Sequence, residues 1–308
     1  MAAPRAAITL GTRGSPLALR QSEIVRDLLI ARFPTLAVRV QTVQTMGDRI
    51  QDRPIWQIGD KGVFVRAIER ALLAGEIDIA VHSLKDVPSD VETPGLALSG
   101  FSPREDARDV LVSGGKDTLA ALPAGSRVGT SSLRRRVQVL AIRPDLSVQD
   151  IRGNVDTRLR KLDEGQYEAI LLAAAGLLRL GRGERIAERL PADTFVPDAG
   201  QGIIALQTRL EGEGREIALA VDDPDSHAAA DAERAVVRAL GADCHSPVGA
   251  YAEVQNGRML LRAVAAREDG SNLVRIEEEG EVGAGVEVGR DVGVRLRRLI
   301  EEGGQKDR

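Results

Sequence analysis

Residues 77–81 set Ile77, Ile79 and Val81 in alternation with Asp78 and Ala80, the pattern of a short buried strand. The run then delivers Lys85 and Asp86 and is stopped by Pro88. Open α/β sheets bind ligands at the carboxyl ends of their strands, so an opposite-charge pair is delivered where a ligand would sit. The same kind of patterning runs through the first half of the chain. It predicts a strand over 6–10, a helix over 17–31, a strand over 38–45 and a helix over 62–74. A second series starts near Pro103, with strands over 126–130, 147–151 and 169–172 and helices over 132–142 and 155–164. Such alternation predicts βαβ units and a mostly parallel sheet.

The two series echo each other. Gly11, Thr12, Arg13, Gly14 and Ser15 precede one helix; Gly129, Thr130, Ser131 and Ser132 precede another. In both, a later helix ends at a glycine, Gly75 or Gly165, as a left-handed helix stop requires, and a strand follows. The expected fold is α/β: two similar domains with a cleft between them. After a break at 197–202, a strand is expected over 203–206, then a helix over 227–240. Strands over 259–266 and 273–279 and a helix over 292–302 complete a small α+β C-terminal domain.

A length of 308 residues allows two or three domains. The net charge of −4 and an aromatic content of 2% argue against nucleic acid as a partner. The single cysteine, Cys244, excludes an internal disulfide and argues against a cysteine-based metal site. Met1-Ala2-Ala3-Pro4-Arg5 lacks the apolar core of a signal peptide, and no run approaches the ~18 apolar residues of a membrane span. A cytoplasmic protein with no membrane partner is expected.

Both Gly-Thr loops place backbone N–H groups and hydroxyls at a helix N-terminus, a ready anion site. Ser15 and Ser132 are also good N-caps, which explains the serines without a ligand. Capping does not explain Arg13, Arg134 and Arg135, because a cation in the first helical turn opposes the helix dipole. Arg152, Arg158 and Arg179 also fall near strand ends. Guanidinium groups hold carboxylates bidentately and keep their charge. The six arginines together suit a ligand carrying many carboxylates, although each alone reads as a solvated surface charge. Cys244 lies in a turn between Asp243 and His245 and reads either as a reactive thiol or as an inert one.

The chain resembles the porphobilinogen deaminase (hydroxymethylbilane synthase) family. Eight segments carry the resemblance in order: 13–19, 59–64, 78–88, 128–135, 152–155, 174–179, Gly200-Gln201-Gly202 and the loop at Cys244. The resemblance implies two periplasmic-binding-protein-like α/β domains with a cleft between them and a small α+β domain. Their expected limits are 1–101 with 201–220, 102–200 and 223–308. It implies condensation of four porphobilinogen molecules, head to tail and with loss of ammonia, into hydroxymethylbilane. A dipyrromethane cofactor, held by a thioether to Cys244, would prime the chain, and neither metal nor nucleotide is implied. By the same resemblance Asp86 is the catalytic acid and base. Arg13, Ser15, Lys85, Thr130, Ser131, Ser132, Arg134, Arg135, Arg152, Gly153, Arg158, Arg179 and Gln201 would bind cofactor or substrate. Lys61 and Phe64 match a loop flanking the active site, in which Gln57 stands where the family often has a lysine. A monomer is expected, with porphobilinogen and the growing linear polypyrrole as partners. Two other readings stay open: a two-lobed anion-binding protein sharing the fold, and a phosphate-handling transferase using the Gly-Thr-Ser loops. The second lacks a phosphate-binding Gly-x-x-x-x-Gly-Lys-Ser/Thr pattern.

Overall fold

The structure, a computed structural model, describes residues 7–44, 65–115, 117–242, 246–267 and 269–302. In the first part of the chain lie β1 (Ala7–Thr12), α1 (Pro16–Arg32), β2 (Ala37–Thr42), α2 (Arg66–Leu73), β3 (Ile79–Ser83) and β4 (Leu96–Phe101). Next come β5 (Asp109–Ser113), β6 (Arg127–Gly129), α3 (Leu133–Ile142), β7 (Ser147–Gln149), α4 (Val155–Asp163), β8 (Ala169–Ala173), α5 (Ala174–Arg179) and β9 (Glu188–Arg189). The chain ends with β10 (Ile204–Arg209), α6 (Glu213–Leu219), α7 (Pro224–Leu240), β11 (Val248–Gln255), β12 (Arg258–Ala265), β13 (Val274–Glu281) and α8 (Gly285–Glu302).

It divides into two compact units, Met1–Arg104 with Ile203–His227 and Glu105–Gly202 with Ala228–Arg308. Each unit contains a five-stranded sheet, and the strand orders correspond: β2-β1-β3-β10-β4 in the first unit and β7-β6-β8-β5-β9 in the second. In both, three strands are parallel and the last two are antiparallel to their neighbours. The sheets are therefore more mixed than the βαβ pattern predicts. The reason is the connectivity: β5 and β10, the first strands after the chain passes from one unit to the other, enter each sheet against the grain.

The pattern at 77–81 also needs correction. The strand is Ile79–Ser83, and both of its faces are buried. Ile79 and Val81 join Ile8, Val25 and Leu29, whereas Ile77 and Ala80 join Ile68 and Leu72 from α2. In the second unit, Val110, Val112, Ile170 and Leu172 face α4 and α5, and Leu111 and Leu171 face Val139 of α3. A strand covered on both sides reads as a continuous apolar run rather than an alternation.

The second unit also holds an antiparallel sheet, β11-β12-β13, whose core includes Ala250, Leu261 and Ile276 with Ala232 and Val236 of α7 and Val292 and Leu296 of α8. Helix α8 starts at Gly285, seven residues before the predicted start at 292. Gly285, Gly289 and Gly293 lower its helix propensity and hide its first turns from pattern reading. Packing requires these glycines. A Cβ on Gly293 would fall 2.5 Å from the Val236 carbonyl oxygen, and one on Gly289 would crowd that of Ala232. In an open helix Gly→Ala stabilises by up to about 1 kcal/mol. Here Gly293→Ala overpacks the α7–α8 contact, a change that costs about 1–3 kcal/mol. Thermal unfolding of Gly293→Ala should show a midpoint below that of the wild type; an unchanged or raised midpoint would contradict this packing.

Candidate active site

In the first unit, two loops leave the carboxyl ends of adjacent parallel strands, β1 and β3, which pair Leu10 with Ile79 and Gly11 with Ala80. After β1 the chain passes through Arg13 and Gly14 to Ser15, the N-cap of α1, whose Oγ accepts from the Ala18 N–H at 3.3 Å. Pro16 sits in the first helical turn, where its missing N–H is not needed. Thr12 is fully buried and its hydroxyl donates to the Ala18 carbonyl at 3.2 Å. After β3, Leu84–Asp86 form a single 3₁₀ turn. Leu84 is the buried plug of that turn, and its N–H donates to the Ile203 carbonyl at 3.0 Å. With Leu84 fixed, Lys85 is left half-buried and Asp86 exposed to solvent. Gln21 of α1 joins the two loops by donating from Nε2 to the Ser83 hydroxyl at 2.8 Å. The fold thus brings Arg13, Ser15, Lys85 and Asp86 to one end of one sheet.

Behind this turn lies a polar chain that pattern reading missed. His82 is buried, and its Nε2 is 3.1 Å from Gln207 Oε1. Gln207 in turn donates from Nε2 to Glu69 Oε1 at 2.8 Å. Because that amide nitrogen is committed as a donor, Oε1 accepts and His82 carries its proton on Nε2. Burial lowers the imidazole pKa, and the bond to Gln207 with the charges of Glu69 and Asp86 only partly offsets it.

In the second unit the equivalent strand ends carry the Gly-Thr-Ser loop and the Arg152 loop. Thr130 is buried; its N–H donates to the Gln149 carbonyl at 2.9 Å and its Oγ1 accepts from Ser132 N–H at 3.2 Å. The Ser131 hydroxyl donates to the Ile151 carbonyl at 2.5 Å, which ties this loop to Arg152 and Gly153. Gly153 has φ +109°, open to glycine but strained for other residues, and a Cβ there would strike Thr157. Asn154 caps α4 through Thr157 N–H at 2.9 Å, and Arg158 Nε donates back to the Gly153 carbonyl at 2.9 Å. Ser132 caps α3 by accepting from Arg135 N–H at 3.4 Å.

Arg134 and Arg135 follow that cap and turn inward; they are 2% and 6% exposed. Both converge on Asp109, the first residue of β5, which is fully buried. Asp109 Oδ2 accepts from Arg134 Nη1 at 2.6 Å, and Oδ1 accepts from Arg135 Nε at 2.8 Å and Gln201 Nε2 at 3.0 Å. Burial alone would raise the Asp109 pKa; the two guanidinium charges and these hydrogen bonds outweigh it and hold the carboxyl ionised, well below its usual range. Arg134 also donates to the Val196 carbonyl at 2.7 Å and Arg135 to the Leu171 carbonyl at 3.1 Å. Gln201 Nε2 reaches the Ala107 carbonyl at 2.7 Å, while its Oε1 accepts from Arg135 Nη2 at 3.4 Å. Arg179 ends α5 rather than following β8 directly, and its Nη2 donates to the Gly202 carbonyl at 2.7 Å. Burial lowers its pKa to about 10 despite the nearby Glu105.

Lys61, Phe64 and Gln57 of the flanking loop, and Cys244 with Asp243 and His245, lie outside the described residues. Asp109 was not among the sequence candidates. Its signal was a carboxylate at the head of the apolar run Val110–Leu111–Val112, a position that demands a buried cation.

Residues 8–216 match the model of the family "Porphobilinogen deaminase, dipyromethane cofactor binding domain", and residues 227–298 match that of its C-terminal domain. The chain belongs to the porphobilinogen deaminase family. A porphobilinogen deaminase of Syntrophobacter fumaroxidans is 45% identical over 301 residues, covering 96% of this chain and 97% of that protein. One of Roseiflexus sp. strain RS-1 is 48% identical over 299 residues, covering 97% of each. Among solved structures, the methionine-binding protein MetQ aligns with a TM-score of 0.44 at 14% identity, over 70% of this chain and 89% of that one.

The second unit fits the dipyrromethane of the family's cofactor-binding domain. Each pyrrole of such a group carries an acetate and a propionate. The loops offer hydroxyls at helix N-termini and several guanidinium groups, two of them buried. Arg134 Nε is buried with no hydrogen-bond partner among the described residues, so the cluster has a donor to spare. Ser131, Ser132, Arg134, Arg135, Arg152 and Arg158 all lie on or beside these two loops.

His82 supplies a pH test of the first unit. Its pKa is lowered on folding from the ordinary 6.5, so the unfolded chain binds more protons as pH falls through that value. Its contribution to stability is therefore present above about pH 6.5 and declines progressively below it. The thermal midpoint of the wild type should fall between pH 7.5 and 5.5 by more than that of His82→Gln. Parallel pH profiles for the two proteins would show that His82 does not titrate with unfolding.

Proposed function

We propose that the chain is a hydroxymethylbilane synthase, a transferase. It would join four porphobilinogen molecules head to tail, with loss of ammonia from each, into the linear tetrapyrrole hydroxymethylbilane. The observation that carries this reading is one exposed carboxylate, Asp86, on a turn at the end of β3, next to Lys85 and at the same sheet end as Arg13. When bound, the dipyrromethane supplies the pyrrole terminus from which the product grows, and Cys244 is the attachment residue that the family resemblance supports.

The chain's own residues have separable tasks. Asp86 is proposed as the catalytic acid and base. Loss of ammonia from porphobilinogen leaves a cationic methylene-pyrrolenine, and a carboxylate held beside it stabilises that charge. The same carboxylate can accept a hydrogen bond from the pyrrole N–H and take the proton released on coupling. The 3₁₀ turn favours this role because Leu84 is pinned and Asp86 projects to solvent, its position set by the backbone. Lys85, Arg13 and Ser15 are proposed to bind substrate carboxylates beside it. Arg152, Arg158, Arg179, Thr130, Ser131, Ser132, Gly153 and Gln201 would serve the carboxylates of the cofactor and the growing product. Lys61 and Phe64 are proposed to flank the reacting groups.

Each added pyrrole brings two more carboxylates, so the arginine set is matched to a ligand whose negative charge grows. The three sheets support a division into domains at 1–101 with 201–220, 102–200 and 223–308. A monomeric, cytoplasmic enzyme is the proposed state.

Asp86→Asn is the direct test. The substitution keeps the size and exposure of the side chain and removes its charge and basicity. Porphobilinogen consumption should fall at least ~100-fold, the scale of general acid–base catalysis, with the thermal midpoint within a few degrees of the wild type. A folded Asp86→Asn protein with near-normal turnover would remove Asp86 from the mechanism.

A further inference from the structure

The Arg134–Arg135 pair is held by a residue outside the family motifs that point to the site. Asp109 stands at the head of β5 with no exposed surface. Its two oxygens take hydrogen bonds from Arg134 Nη1 at 2.6 Å, Arg134 Nη2 at 3.3 Å, Arg135 Nε at 2.8 Å and Gln201 Nε2 at 3.0 Å. Peptide carbonyls, those of Val196 and Leu171, take a further donor from each guanidinium. Two cations thus share one buried carboxylate, and Asp198 adds a second negative charge close enough to act on Arg134. The remaining donor capacity is specific: Arg134 Nε is buried and lacks a partner among the described residues. A buried guanidinium N–H without an acceptor is costly, so the cluster is complete only when another acceptor reaches it.

We propose that Asp109 is a positioning residue for the polycarboxylate site: it is the resident half of an anion site that the ligand's own carboxylate completes. Asp109 occupies the outer nitrogens of Arg134 and the Nε of Arg135 and fixes the planes of both forks. Arg134 Nε then meets an incoming carboxylate in one geometry. Without Asp109 the two buried guanidinium groups repel each other and splay, and the preset geometry is lost. The pair gains little from simple charge, because its own carboxylate already offsets one of the two positive charges. Its value lies in orientation. The proposal rests on the reading of this loop as a carboxylate-binding site, and it adds Asp109 as the residue that shapes it.

The test uses the full chain as purified and benzenehexacarboxylate (mellitate) as a polycarboxylate probe, with affinity measured by calorimetry. Asp109→Asn keeps the side-chain volume and removes the charge. It should bind mellitate at least tenfold more weakly than the wild type, and Asp109→Glu, which restores the charge, should recover part of that loss. A purely structural role would lower the thermal midpoint of Asp109→Asn and leave the affinity of its folded fraction at the wild-type value; that result overturns the proposal. If Asp109→Asn does not fold, the wild type decides. The ¹³C carboxyl resonance of Asp109, assigned by triple-resonance experiments on labelled protein, should move as mellitate saturates the protein. An unmoved resonance at saturation would likewise overturn it. Porphobilinogen turnover by the wild type is a separate arm: its absence would remove the proposed reaction and leave the mellitate comparison standing.

Discussion

A carboxylate with no access to water holds the second unit's cationic loop in place. Asp109 reaches Arg134, Arg135 and Gln201 at once, and through them the α3 N-terminus, the strand β8 and the segment at 196–201. Burying a carboxylate or a guanidinium alone is severely unfavourable, and burying them together is tolerated only when hydrogen bonds use up the donors and acceptors. Here almost all are used. The consequence is a rigid base from which Ser131, Ser132 and the Arg152 loop project, since Ser131 is itself bonded to the Ile151 carbonyl. Preorganised cations of this kind need little reorganisation when a carboxylate arrives.

The two five-stranded sheets are built alike, and they give different chemistry to the same position. Each has parallel strands whose carboxyl ends carry loops, and each opens a helix with a serine cap: Ser15 in the first unit, Ser132 in the second. In the first unit the strand β3 leads into a tight turn that exposes Asp86 beside Lys85. In the second, the equivalent strand β8 leads into α5, which ends in the half-buried Arg179. One unit thus presents an exposed carboxylate, and the other presents clustered positive charge. That division of labour suits a reaction in which a cation forms on one partner while carboxylates accumulate on the other.

Much of this was legible in the sequence, because the two kinds of signal were strong. Helices α1, α3 and α4 were found within two residues at each end, since Ser15, Ser132 and Asn154 cap them and apolar residues recur at helical spacing. The strand pattern also places Asp86, Lys85 and most of the arginines near the carboxyl ends of strands, where the structure has them. The pattern does not predict strands β4, β5, β9 and β11 or helices α5 and α6, and it shortens α8; for β5 and α8 the reasons are physical. Asp109 starts β5 with a charge, which strand patterning disfavours, and only its partners, 25 and 26 residues further along the chain, justify it. The glycines of α8 read as loop until the close approach of α7 is known. The inward turn of Arg134 and Arg135 was also invisible: a sequence shows two cations at a helix start and cannot show that a distant carboxylate has claimed them. His82 was hidden in the same way, since its partner Gln207 is 125 residues away.

This member of the porphobilinogen deaminase family builds its product on a primer attached to its one cysteine. The most direct measurement is the intact mass of the purified, denatured wild type beside a Cys244→Ser control. An excess mass equal to two condensed pyrrole units, present in the wild type and absent from the control, is the predicted result. A wild-type mass equal to that of the bare polypeptide, unchanged after incubation with porphobilinogen, would contradict the account.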